Sequence, residues 1–180
     1  MMKRNNVVKT DLSKWCDNLE KLFKNLETAF PRDNDLPYYK DKIMLARKVN
    51  PRMMVEQFMN IAKYFADEIM TKDTNFFYIV DEITTKDIDF FNSLDPNIPE
   101  NVKYLEIKEL LQGKDGALST KYVQLLSKIR TLWEGMSEVS KDTIWKYLQI
   151  FITLGTIITK DHVTVNIINK YRDLPLQIQT

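Results

Sequence analysis

Large apolar residues recur at three- and four-residue steps along most of this chain, a period that predicts helices rather than strands. The first series is Leu12, Trp15, Leu19, Leu22, Phe23, Leu26 and Phe30, with Asp11 as the expected N-cap and Pro31 as the stop. PRDNDLPYY, with two prolines among Asp and Asn, then reads as a loop. A second helix is expected from near Pro37 to Val49. Asn50 and Pro51 suit the N-cap and first position of a third, whose apolar face (Met54, Val55, Phe58, Ile61, Ala62, Phe65, Ile69) predicts one helix of about 20 residues. Phe76, Phe77, Ile79, Val80 and Ile83 read as a short helix, with a strand as the alternative. Another short helix is expected within Thr85–Leu94, closed by DPNIPE, and a longer one from Pro99 that ends at QGKDG.

The densest apolar stretch runs from Leu118 to Thr159 as two consecutive helical patterns, the second capped by Ser137 or Ser140. Trp133 and Trp145 lie on their apolar faces, so this pair is predicted to organise the core and to bury both indoles. After Lys160 the period shortens. Val163, Val165 and Ile167 alternate with polar residues, which predicts one strand or extended segment over His162–Ile168, and LPLQIQT reads as an arm. The expected architecture is mainly α: a single-domain bundle of six to seven helices over residues 11–160, a flexible N-terminal arm at 1–10 and an extended C-terminal segment at 161–180.

Composition narrows the function classes. Lys plus Arg is 26 against 25 for Asp plus Glu, so the +1 total provides no global attraction for nucleic acid or anionic lipid. Nucleic acid is therefore not an expected partner. Cys16 is the sole cysteine, which rules out an intrachain disulfide and four-cysteine zinc sites. No secretory signal is expected, because the basic residues of MMKRNNVVKTDLSKW are not followed by an apolar run. Tyr147–Ile158 is far short of the roughly 20 apolar residues that span a bilayer.

Chemistry-bearing residues are sparse. His162, the single histidine, has no nucleophile in a recognisable motif beside it and reads as a surface residue. Cys16 follows Trp15 inside a helical pattern and reads as a small buried thiol. Asp87 and Asp89 have the spacing of a two-carboxylate metal motif, yet two residues apart on a helix they diverge, so a solvated face is expected. Gly113-Lys-Asp-Gly116 lacks the spacing of a phosphate loop and reads as a turn. No catalytic, metal or cofactor site is expected. The adjacent aromatic pairs Phe76-Phe77, Phe90-Phe91 and Tyr38-Tyr39 are too broad for one narrow helix face, which leaves two readings: a core contacted on two sides, or a partner surface. The methionines Met53, Met54, Met59 and Met70 on one helix pattern leave core filling and an adaptable groove open in the same way.

AFPRDNDLPYYK at 29–40, VNPRMMVEQFM at 49–59, TKDTNFF at 71–77 and KIRTLWEGMSEVSKDTIWKYLQIF at 128–151 resemble a protein family of nucleocytoplasmic large DNA viruses, over about residues 20–158. The resemblance carries no catalytic motif. It implies a non-enzymatic structural protein, a minor capsid or virion assembly component, located in the virion and in the host cytoplasm during assembly. Its expected partners are other virion proteins, capsid proteins among them, with the oligomeric state open. Two other classes are a nucleic-acid-associated virion or replication factor and a hydrolase built on His162 or the acidic pairs.

Overall fold

The computed structural model describes residues 8–114 and 116–179, and the expectations for residues 1–7 lie outside them. Ten α-helices follow in order: α1 (Asp11–Ala29), α2 (Asp35–Val49), α3 (Pro51–Ala62), α4 (Ala66–Thr71), α5 (Asn75–Thr85), α6 (Ile88–Ser93), α7 (Pro99–Gln112), α8 (Gly116–Trp133), α9 (Glu138–Thr159) and α10 (His162–Asn169). No strand occurs among the described residues. The expected mainly α class holds, with more helices than six or seven. Part of the excess arises because the predicted long third helix is broken by a 3-10 turn at Lys63–Phe65. Ile61 before the break, Phe65 within it and Ile69 after it are all buried, so one apolar period runs through two helices.

Local chemistry sets most boundaries. Thr10, rather than Asp11, caps α1 by accepting from Ser13 N at 3.1 Å, which leaves Asp11 in the first turn where its charge favours the helix dipole. Asp33 Oδ1 accepts from the N–H groups of Asp35 (2.9 Å) and Leu36 (3.2 Å), so α2 starts before Pro37. Pro37 then falls in the first turn, where a missing N–H costs nothing. Asn50, Asp87 and Ser137 cap α3, α6 and α9 through the backbone N–H groups of Met53, Phe90 and Ser140. Gly116 opens α8 at a close approach: a Cβ there would lie 2.6 Å from Leu110 O and 2.7 Å from Leu111 O.

The strand expected at His162–Ile168 is a helix. Asp161 accepts from Thr164 N at 3.0 Å and from Thr164 Oγ1 at 2.7 Å, and Thr164, Val165 and Ile168 then face inward while Val163 is exposed. Packing of α10 on α9 and α4 overrides the β-branched composition that suggested alternation. The extended 161–180 segment is accordingly corrected: the non-helical part follows Asn169, and it folds back so that Leu176 N donates to Asn169 Oδ1 at 2.8 Å. Leu176 packs against the core.

α3 is the element that both central helices share, since it packs against α8 and against α9. Trp15 of α1 lies at the centre, with ring centroids 5.6 Å from Phe58 and 5.1 Å from Phe151. Its indole N–H donates to Phe151 O at 3.0 Å, and Tyr122 O–H donates to Met54 O at 2.9 Å, so the two large polar atoms in this core are satisfied. Gly155 lets α9 approach α3: a Cβ there would stand 2.5 Å from Met59 Sδ. α8 and α9 meet through Trp133 and Trp145, 5.8 Å apart, both tilted against the ring of Phe77. Trp145 is buried as expected. Trp133 is only half-buried, because it ends α8 and turns one face to solvent beside Arg130 and Glu134.

Candidate functional site

α1 and α9 are packed along their length. Their inner faces close the core through Trp15, Leu19 and Phe23 against Leu148, Phe151 and Ile152, all buried. The flank of the same two helices does not close. Leu22, Leu26, Ala29 and Phe30 from α1 and its end face Met136, Val139, Ile144 and Tyr147 across a groove of about 280 Å³. Phe30 is placed by the helix stop, where its N–H donates to Leu26 O at 2.9 Å immediately before Pro31. Ser137 places the other wall by capping α9.

Polar groups are few in the groove. Asn25 Nδ2 donates to Tyr147 Oη at 3.0 Å and ties the two walls together, while Tyr147 stacks on Phe151. Thr28, Ser140 and Thr143 complete the lining, and no charged side chain belongs to it. Val139 stands at the mouth, 77% exposed. A second depression adjoins at Ala29 and Phe30 and extends the surface over Pro31, Arg32 and Leu132.

The electrostatics of this flank follow from where the acids of α1 are used. Asp17 and Glu20 are held by Arg47 of α2 at 2.7 and 3.1 Å, and Glu27 by Lys40 at 3.6 Å. Hydrogen bonds from Lys9 and Arg47 hold Asp17 below the usual carboxylate range. Lys21 and Lys24, on the same helix, are exposed and make no ion pair among the described residues; the same holds for Arg32 and Lys146. The groove itself is lined without any charged side chain.

The residues with catalytic chemistry are not brought together. His162 is exposed at the start of α10, between two helices rather than at a helix-to-strand junction. Cys16 is buried, and burial pushes its thiol pKa up, which keeps it protonated and unreactive. Asp87 is spent on the α6 cap and Asp89 is exposed on the helix. Gly113 N–H donates to Leu110 O in the turn after α7. Among the described residues, no group of three or more His, Cys, Asp or Glu could hold a metal ion, and no helix is long and apolar enough to cross a membrane.

The aromatic pairs divide. Phe76 and Phe77 are both buried, on Phe65 and on the two tryptophans respectively, which is the two-sided core. Phe91 is buried and Phe90 half-buried against Tyr104. Tyr38 is exposed, and Lys121 donates to its hydroxyl at 3.1 Å, which lowers its pKa. Met54 and Met59 are buried in the core, with Met59 also bordering one surface depression and Met70 another. Asn25, Val139, Thr143 and Tyr147 have no counterpart among the residues singled out by sequence. They sit at the border between the apolar and polar faces of their helices; Asn25 within the Leu22–Leu26 run was the visible sign. No family model, curated protein or solved structure matches the chain.

Proposed function

We propose that this protein is a non-enzymatic structural protein of a large DNA virus, a minor capsid or virion assembly component, and that it works by protein–protein contact through the α1/α9 groove. The viral context rests on the sequence resemblance. The groove is the observation that supports a contact role: its lining is mostly apolar and carries no charged side chain. Such a cleft suits one or two apolar side chains of a protein partner. Its lining holds no carboxylate, histidine or lysine.

The test places bulk and charge at the mouth, where folding is least affected. Ala29 and Val139 are both exposed, so Ala29→Arg with Val139→Arg should leave the melting temperature within a few degrees of wild type. In particles purified from infected cells, mass spectrometry and crosslinking should find the wild-type chain attached to other virion proteins and the double variant depleted. Absence of the wild-type chain from particles, or wild-type incorporation of the variant, overturns the reading. Tight DNA binding that weakens steeply with salt would favour a nucleic-acid role instead.

A further inference from the structure

We propose that the cleft between the start of α5 and the end of α8 binds one guanine base, carried by a nucleotide or by a single strand. The cleft, of about 310 Å³, shares no residue with the α1/α9 groove, so this inference is independent of the role given to that groove. Three aromatic residues line it. Phe77 is buried, with its ring centroid 4.9 Å from that of Trp133; Trp133 is half-buried, and Tyr78 is 46% exposed. A tryptophan that keeps a wet face although it lies on an apolar helix stripe, in one cleft with a wet tyrosine, provides a surface on which a flat ring can stack.

Two unlike charges line the same cleft without meeting. Arg130 and Glu134 are four residues apart at the end of α8, a spacing at which ion pairs form on a helix, yet no salt bridge or hydrogen bond joins them. Arg130 lies instead over the Tyr78 ring at 4.7 Å. Its nearest carboxylate is Asp81, at 3.7 Å from Nη1, too far for a hydrogen bond, and Ser127 donates to the other oxygen of Asp81 at 2.7 Å. Arg130 Nε is buried without an acceptor, and Glu134 is exposed with no partner among the described residues. The cleft thus holds one donor-only group and one acceptor-only group beside its aromatic rings, with the hydroxyls of Thr74 and Thr131 able to do either. A simple anion is disfavoured by Glu134 and a simple cation by Arg130. A neutral flat ring with an acceptor edge and a donor edge satisfies both. Guanine has that pattern: O6 and N7 accept, as arginine requires, while N1–H and the 2-amino group donate to a carboxylate.

Isothermal titration calorimetry on the full chain tests this with guanosine, guanosine monophosphate, adenosine, inosine and a short guanine-containing single strand of DNA. Guanosine should bind. Adenosine and inosine should bind about tenfold more weakly or worse, because adenosine puts a donor where Arg130 needs an acceptor and inosine lacks the amino group that faces Glu134. Glu134→Gln and Tyr78→Ala, both at exposed positions, should each weaken guanosine binding by about tenfold or more, with thermal melts showing that folding is unchanged. Arg130→Lys keeps the charge but loses the planar fork, and should cost as much. Equal affinity for guanosine and its monophosphate, with no gain from the strand, supports the site with a free nucleoside or nucleotide as the source; a salt-dependent gain from the strand supports it with nucleic acid as the source. No binding of guanosine at millimolar concentration, equal binding of adenosine, or variants that bind as wild type does overturn the proposal. Binding of a tyrosine-containing peptide in place of guanosine also overturns it, and gives the cleft to a protein partner.

Discussion

The centre built from α1, α3, α8 and α9 and the corner built from α6 and α7 are both helical, but they are held by different forces. In the centre, Trp15, Phe58, Tyr122 and Phe151 form one contiguous ring cluster, and the indole N–H and the phenol are both satisfied by buried carbonyls. In the corner, Ile107 is the residue of α7 that is fully buried and Phe91 that of α6. Phe90, Tyr104, Leu110 and Leu111 pack there only half-buried, and the polar ties are charged and partly wet: Lys103 to Glu68 at 3.1 Å, Lys108 over the Phe91 ring at 4.7 Å, and Tyr64 O–H to Glu106. Ties of that kind contribute about 0–1 kcal/mol each, whereas a fully buried aromatic side chain contributes several. The contrast implies a centre that unfolds only globally and a corner that opens locally.

The largest expected effect tests this contrast directly. Trp15→Ala should destabilise the protein by about 3–5 kcal/mol in chemical denaturation, because it empties the cluster centre. Phe90→Ala, in the half-buried corner, should cost about 1 kcal/mol. Equal costs would remove the distinction. Native-state hydrogen exchange sharpens it: amides of α6 and α7 should exchange through openings far less costly than those of α3 and α9.

The next effect concerns the loop that clamps α8 to the α1–α2 connection. Lys128 reaches Asp33 at 2.7 Å and Asp35 at 2.9 Å. Burial by itself raises the Asp33 pKa, but the hydrogen bond from Lys128 and the two backbone N–H groups together outweigh it and hold the pKa below the usual value. A folded pKa below the unfolded one stabilises at neutral pH. That contribution is present above the ordinary aspartate value of about 3.9 and disappears as pH falls through the folded value. Asp33→Ala should therefore cost about 2 kcal/mol at pH 7, with the gap to wild type closing in strong acid.

A smaller effect should appear at the other end of the pH range. Burial raises the Tyr122 pKa well above the ordinary tyrosine value of about 10, so its contribution is intact below pH 10 and lost as pH rises toward the folded value. Tyr122→Phe should cost about 1 kcal/mol at neutral pH through the lost bond to Met54 O, and should make alkaline unfolding shallower than in wild type. The smallest change is a gain. Lys72 adopts φ 57° at the end of α4, where the chain turns toward α5, and a left-handed conformation favours glycine. Lys72→Gly should raise stability by about 0.5 kcal/mol, despite the added freedom of the unfolded chain and the loss of a long contact to Asp142. A loss above 1 kcal/mol would show that the Asp142 contact outweighs the backbone strain.

What the sequence by itself determined is the part governed by nearest neighbours along the chain. Three- and four-residue apolar periods located the helices from Asp11 to Thr159, and Asn50, Pro51 and Ser137 marked starts that the structure uses, because capping and periodicity involve groups only a few residues apart. Tertiary packing decided the rest. The β-branched run at 163–168 is helical because α9 and α4 offer a surface that fits Thr164, Val165 and Ile168 on one helix face. Trp133 keeps a wet face although its period matches that of Trp145, and no local signal tells which end of an apolar stripe runs out of partners. The groove was equally illegible. Asn25 and Tyr147 are 122 positions apart, and only the alignment of α1 against α9 makes them two sides of one cleft. That the acids Asp17, Glu20 and Glu27 of α1 pair with Arg47 and Lys40 is likewise visible only once the fold has laid α1 on α2, since ion pairing across helices depends on packing geometry that no local pattern encodes.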